Sequence, residues 1–298
     1  MLNRRRFIKA GLTVGGVIAA GAFPAAGAPT RQANDIVELG PDKVRVSRLA
    51  MGTGTFSGRV QRQLGLQGLA DLLHFGYDQG LIFIDSGDSY KTHPHIKQAL
   101  TRIPREKVVI QTKVSARTAE EMRATLDRCR QEAGIDYFDI VLLHALTSSN
   151  WPEQRAGAMD ALSEAREKGV VRTFGASFHS IEAIKTAAKT PWLRVAQVRV
   201  NPVGVRMDAD PDTAIEAIKG LKAAGKGVIG MKILGEGALS DRVDEALRHA
   251  VGLDCIDCFT IGPANRDELG DLIRRIGGAS QAIAEQQDRL AARRWFHV

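Results

Sequence analysis

The sequence predicts an α/β chain folded as one (β/α)8 TIM barrel with an N-terminal β-hairpin cap, and three observations carry that prediction. Strand-like and helix-like stretches alternate along 298 residues with no obvious linker between them, as one closed parallel barrel requires. The strand-like stretches after the first read IFID, VVIQTK, DIVLLH, VRTFGAS, VAQVRV, GVIGMK and CFTIG. Their near-continuous apolar character suits parallel strands covered on both faces. Three of them run into a single ionisable residue, and the C-terminal ends of barrel strands are where such a fold places its chemistry.

Taken in order, residues 1–28 read as a targeting segment outside the fold, and residues 35–298 as the barrel domain. The stretch NRRRFIKAGLTVGGVIAAGAF sets paired arginines and Phe7 ahead of an Ala/Gly/Val run. That pattern is similar to a twin-arginine export signal, which implies a folded passenger, the twin-arginine machinery as a partner, and a periplasmic location. The run is short and glycine-rich against the ~20 strongly apolar residues a membrane span needs, so no stable membrane anchor is expected. The formal charge of +7 includes Arg4, Arg5, Arg6 and Lys9, which leaves +3 for the rest (7 − 4) and no basic stripe. A nucleic-acid partner is therefore not expected.

DIVELGPDKVRVSRLAMGTG reads as a hairpin turning at Gly40-Pro41-Asp42, followed by a first barrel strand at Leu49 to Met51. That strand opens into Gly52-Thr53-Gly54, where absent side chains let backbone approach a ligand or simply make a tight turn. Helical spacing follows at Leu66, Leu69, Ala70 and Leu73, at Val243, Ala246, Leu247 and Ala250, and at Leu269, Leu272, Ile273 and Ile276. Gly134, Gly169 and Gly225 stand where helices should stop. A final helix is expected between Ser280 and Val298.

The candidate site rests on four residues. LIFIDSGDSYKTHPH carries an apolar strand into Asp85 and a loop that delivers Tyr90, VVIQTK ends on Lys113, and FDIVLLH ends on His144. A phenol titrates near ~10, too high for efficient proton transfer at neutral pH. An ammonium ~4 Å away at an effective dielectric of ~20 is worth roughly 4 kcal/mol, about three pK units of help before burial takes its share. Lys113 is the candidate cation and Asp85 its partner. His144 either donates a hydrogen bond to a substrate oxygen or shares the proton with Tyr90. Each residue also has a structural reading: an ion pair, a satisfied histidine, a packing tyrosine.

FIDSGDSY resembles the FDTAxxY signature of the aldo-keto reductases, QTK their strand-three lysine and DIVLLH their strand-four histidine. The resemblance covers nearly all of the chain after residue 35. It implies reduction of an aldehyde or ketone with NADP(H) or NAD(H), Asp85, Tyr90, Lys113 and His144 as catalytic residues, and Tyr90 as general acid. It further implies cofactor contacts from Gly52, Thr53, Ser177, Gln197, Met231, Lys232, Gly235, Gly237, Gly262, Asn265 and Arg266. The chain departs from the family where Phe178 follows Ser177 in place of Asn, and where Met231 replaces an aromatic. It departs again where Gly262 and Glu268 align with the basic residues that hold a 2'-phosphate, a role left to Arg266. On family usage NADP(H) is expected ahead of NAD(H).

Two motifs point elsewhere. His93-Pro94-His95 has the form of a barrel-hydrolase metal pair, but the later strands end in Asn201 and Gly262, not in further ligands. No metal site is expected, and the pair reads as capping the next helix or lining the substrate opening. Cys255-Ile256-Asp257-Cys258 enters a strand at the opposite face, unlike a redox dithiol at a helix N-terminus; an oxidising compartment would permit a disulfide. Cys129 shares a helix face with Met122 and Leu126 and reads as core. Phe56, Trp151 and Phe178 are candidates for an apolar mouth or for loop packing. The rival functions are a nucleotide-binding sensor without turnover on the same fold and a metal-dependent barrel hydrolase. A monomer or weakly associating chain is expected.

Overall fold

The structure is a computed structural model that describes residues 30–295. The proposed export signal lies outside the described residues. Strands β1 (Ile36–Leu39) and β2 (Val44–Ser47) form an antiparallel hairpin. Eight parallel strands then close in chain order. They are β3 (Leu49–Gly52), β4 (Phe83–Asp85), β5 (Val109–Val114), β6 (Phe138–Leu146), β7 (Val171–Phe178), β8 (Val195–Arg199), β9 (Gly227–Met231) and β10 (Cys258–Ile261). The helices between and after them are α1 (Arg59–Gln63), α2 (Gly65–Asp78), α3 (His93–Ala99), α4 (Ala119–Ala133), α5 (Trp151–Gln154), α6 (Ala156–Glu167), α7 (Ile181–Lys189), α8 (Pro211–Ala223), α9 (Val243–Gly252) and α10 (Arg266–Trp295). Among the described residues no helix is long and apolar enough to cross a membrane.

Two apolar layers hold the cylinder. The outer one joins the outward strand residues to the helices, with Leu69, Leu73, Met122, Leu126, Cys129, Ala246, Leu247, Leu269 and Ile276 buried in it. The inner one fills the lower half of the barrel: Ala50, Phe83, Val109, Ile140, Leu142, Val195, Ile229 and Cys258 pack on Leu39 and Val46 of the hairpin. The hairpin is thus a plug that closes the N-terminal end. Strand side chains alternate in and out. The parity that sends Phe83, Val109, Ile140 and Val195 into the plug therefore turns Asp85, Gln111, Lys113, His144 and Gln197 inward above it.

Helix ends follow their sequence signals. Thr118 and Glu121 form a capping box on α4, and Gly134 ends it with φ 65°, the left-handed turn that glycine makes without a Cβ penalty. Two expectations need correction. Leu66 is 52% exposed, because α2 buries Leu69, Leu72 and Leu73 and presents its first turn to solvent. No separate tail helix begins at Ser280, since α10 runs unbroken through the Gly277-Gly278 pair that precedes it. Cys255 and Cys258 are free; one packs in the outer layer and the other inside the barrel, so the sheet itself separates the thiols.

Candidate active site

β4 delivers Asp85 to the C-terminal rim, and the chain then turns through a short 3-10 stretch, Asp88–Tyr90, that folds the phenol back over the barrel mouth. Lys91 takes φ 57° to complete the turn. The close fit of that turn explains two glycines. A Cβ on Gly54 would lie 2.5 Å from Tyr90 Cε2, and one on Gly87 would lie 3.1 Å from it. Gly54 leaves room for the tyrosine ring.

Asp85, Tyr90, Lys113 and His144 are brought together. Lys113, 1% exposed, contacts Asp85 and donates to the Ser86 carbonyl at 3.0 Å. Its ammonium stands 5.0 Å from the Tyr90 ring centroid, and the Tyr90 and His144 rings meet edge to face at 5.6 Å. Burial works against the Lys113 charge, but Asp85 outweighs it, so the amine is held above its ordinary range. For Tyr90 burial pushes the phenol up and wins over the neighbouring Lys113 cation. The help expected from Lys113 is thus outweighed by burial, and the phenol keeps its proton well past neutrality. Burial, then the charges of Lys113 and His179, drive His144 down to about 3. The imidazole is neutral.

The Asp85 carboxylate has two further donors. Gln111 Nε2 donates to Oδ1 at 2.6 Å and Gln197 Nε2 to Oδ2 at 3.1 Å, while Gln111 Nε2 also lies 3.2 Å from Gln197 Oε1. Reading the sequence missed Gln111. Its signal was available: it shares the inward parity of Lys113 and is a polar residue within an apolar run. It also missed the neighbourhood of His179, whose Nδ1 accepts a 2.7 Å hydrogen bond from Arg199, itself paired to Asp208 at 3.0 Å.

Beside these groups opens a cavity of about 560 Å³. Asp85, Tyr90 and Gln197 form one part of its wall, and Glu268, Asp271 and Leu272 of α10 another. Of the residues expected to contact a cofactor, Gly52, Gln197, Met231, Lys232, Gly237 and Gly262 line it. Thr53 and Ser177 are fully buried outside the lining, their hydroxyls bonded to Thr92 and to the Ala145 amide. Gly235 is buried too, and Asn265 and Arg266 are exposed at the start of α10 away from the lining. Gly52 and Gly262 also answer to the protein: a Cβ on either would lie 2.7 Å from Thr260 Oγ1 or 2.3 Å from Thr55 Oγ1. Thr260, in the wall, has a buried hydroxyl oxygen without a partner, the mark of a lining that a polar ligand would complete.

The remaining candidates separate. Phe56 is 46% exposed and lines the cavity. Trp151 and Phe178 do not form a mouth; they are buried against each other at 5.8 Å, with the indole donating to the Ala183 carbonyl. His93 neither caps α3 with its side chain nor lines the opening. It is buried between Thr112, 2.9 Å from its Nε2, and Glu132, 3.3 Å from its Nδ1. With Cys129 these form a His/Cys/Glu group within 4.8 Å; its Glu132 is already engaged by Arg128 at 2.9 Å, and it lies off the strand-end rim.

A closed parallel barrel with a buried ion pair, a phenol and a neutral imidazole at its C-terminal rim, beside a lined cavity, defines a (β/α)8 protein of the enzymatic kind. The chain belongs to the aldo/keto reductase family, whose family model matches residues 48–253. It is 26% identical over 170 residues to the NADH-specific methylglyoxal reductase of Escherichia coli (strain K12), covering 47% of this chain and 51% of that protein. It is 28% identical over 144 residues to the 9,11-endoperoxide prostaglandin H2 reductase of Trypanosoma cruzi, covering 45% and 48%. The chain thus spans about half the length of these curated relatives. Among solved structures, an aldo-keto reductase of Bacillus halodurans in holo form superposes with TM-score 0.68 at 15% identity, over 83% of this chain and 95% of that one. One of Bombyx mori in complex with NADP does so with TM-score 0.62 at 15% identity, over 83% and 92%. These likenesses establish the fold.

Proposed function

We propose that the chain reduces an aldehyde or ketone to the alcohol, using a nicotinamide dinucleotide held in the cavity beside Tyr90. One observation carries this reading most strongly: a fully buried lysine, kept charged by Asp85, faces a phenol at the edge of an accessible cavity. A buried ion pair of this kind is poor value for stability alone. The glycine-lined cavity wall and the unpartnered Thr260 hydroxyl are compatible with a dinucleotide, and Gln197, Met231, Lys232 and Gly237 would hold it. When bound, that group supplies the hydride to the carbonyl carbon.

The chain's own residues do the rest. Tyr90, protonated at neutral pH, gives its proton to the carbonyl oxygen as charge builds there, and Lys113 offsets the charge left on the phenolate. Water later restores the proton. Neutral His144 donates a hydrogen bond to the same oxygen; its low affinity for a second proton disfavours the proton-sharing role. Asp85, Gln111 and Gln197 keep Lys113 pointed and charged. Between relatives the cofactor differs: the Escherichia coli enzyme is NADH-specific by name, and the Bombyx mori structure is a complex with NADP. Either dinucleotide serves this chemistry. The test is steady-state oxidation of NADH and NADPH with a panel of aldehydes, methylglyoxal included. Tight nucleotide binding with no turnover on any of them would favour a sensor on this fold instead.

We further propose that the protein is exported folded to the periplasm, on the strength of the Arg4-Arg5 pair and Phe7 in residues 1–28. A cofactor bound before export would reach the periplasm with it. Replacing both arginines by lysine should leave the protein in the cytoplasm, and mass spectrometry of protein drawn from the periplasm would identify the nucleotide carried.

A further inference from the structure

We infer that this site selects NADH over NADPH, because carboxylates stand where the 2'-phosphate would need cations. The inference rests on the reading that the cavity holds a nicotinamide dinucleotide. With the nicotinamide beside Tyr90 and Asp85, where the proton donor is, the adenosine must lie along the other wall. Ser240, Val243, Ala264, Glu268, Asp271 and Leu272 form that wall. Glu268 and Asp271 are its ionisable groups. Among the described residues, Lys232 is the only cation in the cavity lining, and it is in contact with Glu236.

Glu268 is not free to swing aside. One carboxylate oxygen accepts the Ala264 amide at 2.8 Å and the other the Asn265 side-chain amide at 3.3 Å, while Asn265 Oδ1 accepts the Glu268 amide at 2.8 Å. This closed box sets the chain's own anion at the positive end of α10 and occupies the Ala264 and Glu268 amides, so a phosphate arriving there meets a carboxylate already in place. Asp271 is fixed from behind by Arg274 at 2.5 Å and Arg275 at 2.6 Å, and Arg275 also holds Asp244 at 2.7 Å. Turning either arginine towards a phosphate would strip a carboxylate of its partner. Arg266, which the sequence offered as the phosphate-binding residue, lies outside the lining, so the expectation of NADP(H) ahead of NAD(H) loses its one local support. A ribose 2'-hydroxyl, by contrast, is a donor that such carboxylates accept. A phosphate brings like charge to the same place, and discrimination between the two is built from that repulsion.

The experiment is calorimetric titration of the full chain with NADH, NADPH, 5'-AMP and adenosine 2',5'-bisphosphate. NADH should bind about tenfold or more tightly than NADPH, and 5'-AMP ahead of the bisphosphate, at low salt where charge repulsion is least screened. Glu268→Gln keeps an acceptor for the Ala264 amide and removes the charge, so the NADH-to-NADPH ratio should narrow; Asp271→Asn should narrow it further. NADPH binding as tightly as NADH would overturn this inference and leave the reductase reading intact. A wild-type preference for NADH that neither variant moves would overturn the assignment to these carboxylates. Failure of all four ligands to bind would overturn both readings.

Discussion

The two walls of the cavity are made by opposite means. At the barrel mouth the polar groups are buried, and each is held by several others: Asp85 alone receives Lys113, Gln111 and Gln197. At the start of α10 the groups are exposed and bound to residues three or four positions away in sequence, as Glu268 is to Asn265 and Ala264. Burial makes a charge expensive unless it is paired, so the first wall tolerates almost no substitution, and it is the wall to which the proposed function assigns the reaction. Solvent makes a charge cheap, so the second can change sign at little cost in stability, and cofactor choice is inferred to lie there. On the proposed function, reaction type and cofactor choice would thereby be separable.

The largest effects should come from the buried wall. Tyr90→Phe should leave cofactor binding in place and lower carbonyl reduction by about 10²–10⁴-fold, the range for losing a general acid; unchanged turnover would put the acid elsewhere. Lys113→Met should do more to the fold than to any one step. It leaves Asp85 buried without its cation, which costs about 3–5 kcal/mol, read as a lower urea midpoint. The comparison fails if Lys113→Met is as stable as the parent chain.

The buried wall was also the more legible in sequence, for the same reason. An ionisable residue ending an apolar strand, as Asp85, Lys113 and His144 do, has few structural excuses, so residue type and position already announce a site. The eight strands were legible because burial on both faces demands continuous apolar runs. What escaped was decided by geometry across the barrel. Gln111 matters because β5 faces β8 across the interior, and no local pattern says so. Phe178 looked like a mouth residue because strand and loop are indistinguishable at a strand's last position; β7 in fact continues to Phe178 and turns it outward into the helix layer, where Trp151 of α5 packs on it. The direction of the Tyr90 shift depended on how deeply the phenol is packed, a quantity that spacing does not contain.

Intermediate effects test how far the buried wall depends on fit. Gly54→Ala would drive a Cβ against the Tyr90 ring, 2.5 Å from Cε2, and a displaced acid should cost reduction about tenfold to a hundredfold with little loss of nucleotide affinity. Acid should then separate the walls by stability. His93, His95, His144, His179 and His249 are all lowered from 6.5, each first by burial. In the unfolded chain these imidazoles take up protons as pH falls through about 6.5, while the folded chain refuses them. Stability is therefore full above that value and falls steadily towards the lower folded values, His144 to about 3 and His179 to about 4. The urea midpoint should drop between pH 7.5 and pH 5, whereas the pH profile of reduction should show no inflection from His144 above about pH 5.

The smallest effect belongs to Thr260, in the wall where the two regimes meet. Its hydroxyl oxygen is buried without a protein partner, so replacing it by the near-isosteric Val should be neutral or stabilising by up to about 1 kcal/mol. If a bound dinucleotide completes that hydroxyl, Thr260→Val should weaken NADH binding by about fivefold, the loss of one ordinary hydrogen bond. A Val variant that is more stable and binds as tightly would show the orphaned hydroxyl to be an accident of packing. One that is more stable and binds more weakly would show a wall in which folding concedes free energy to the ligand.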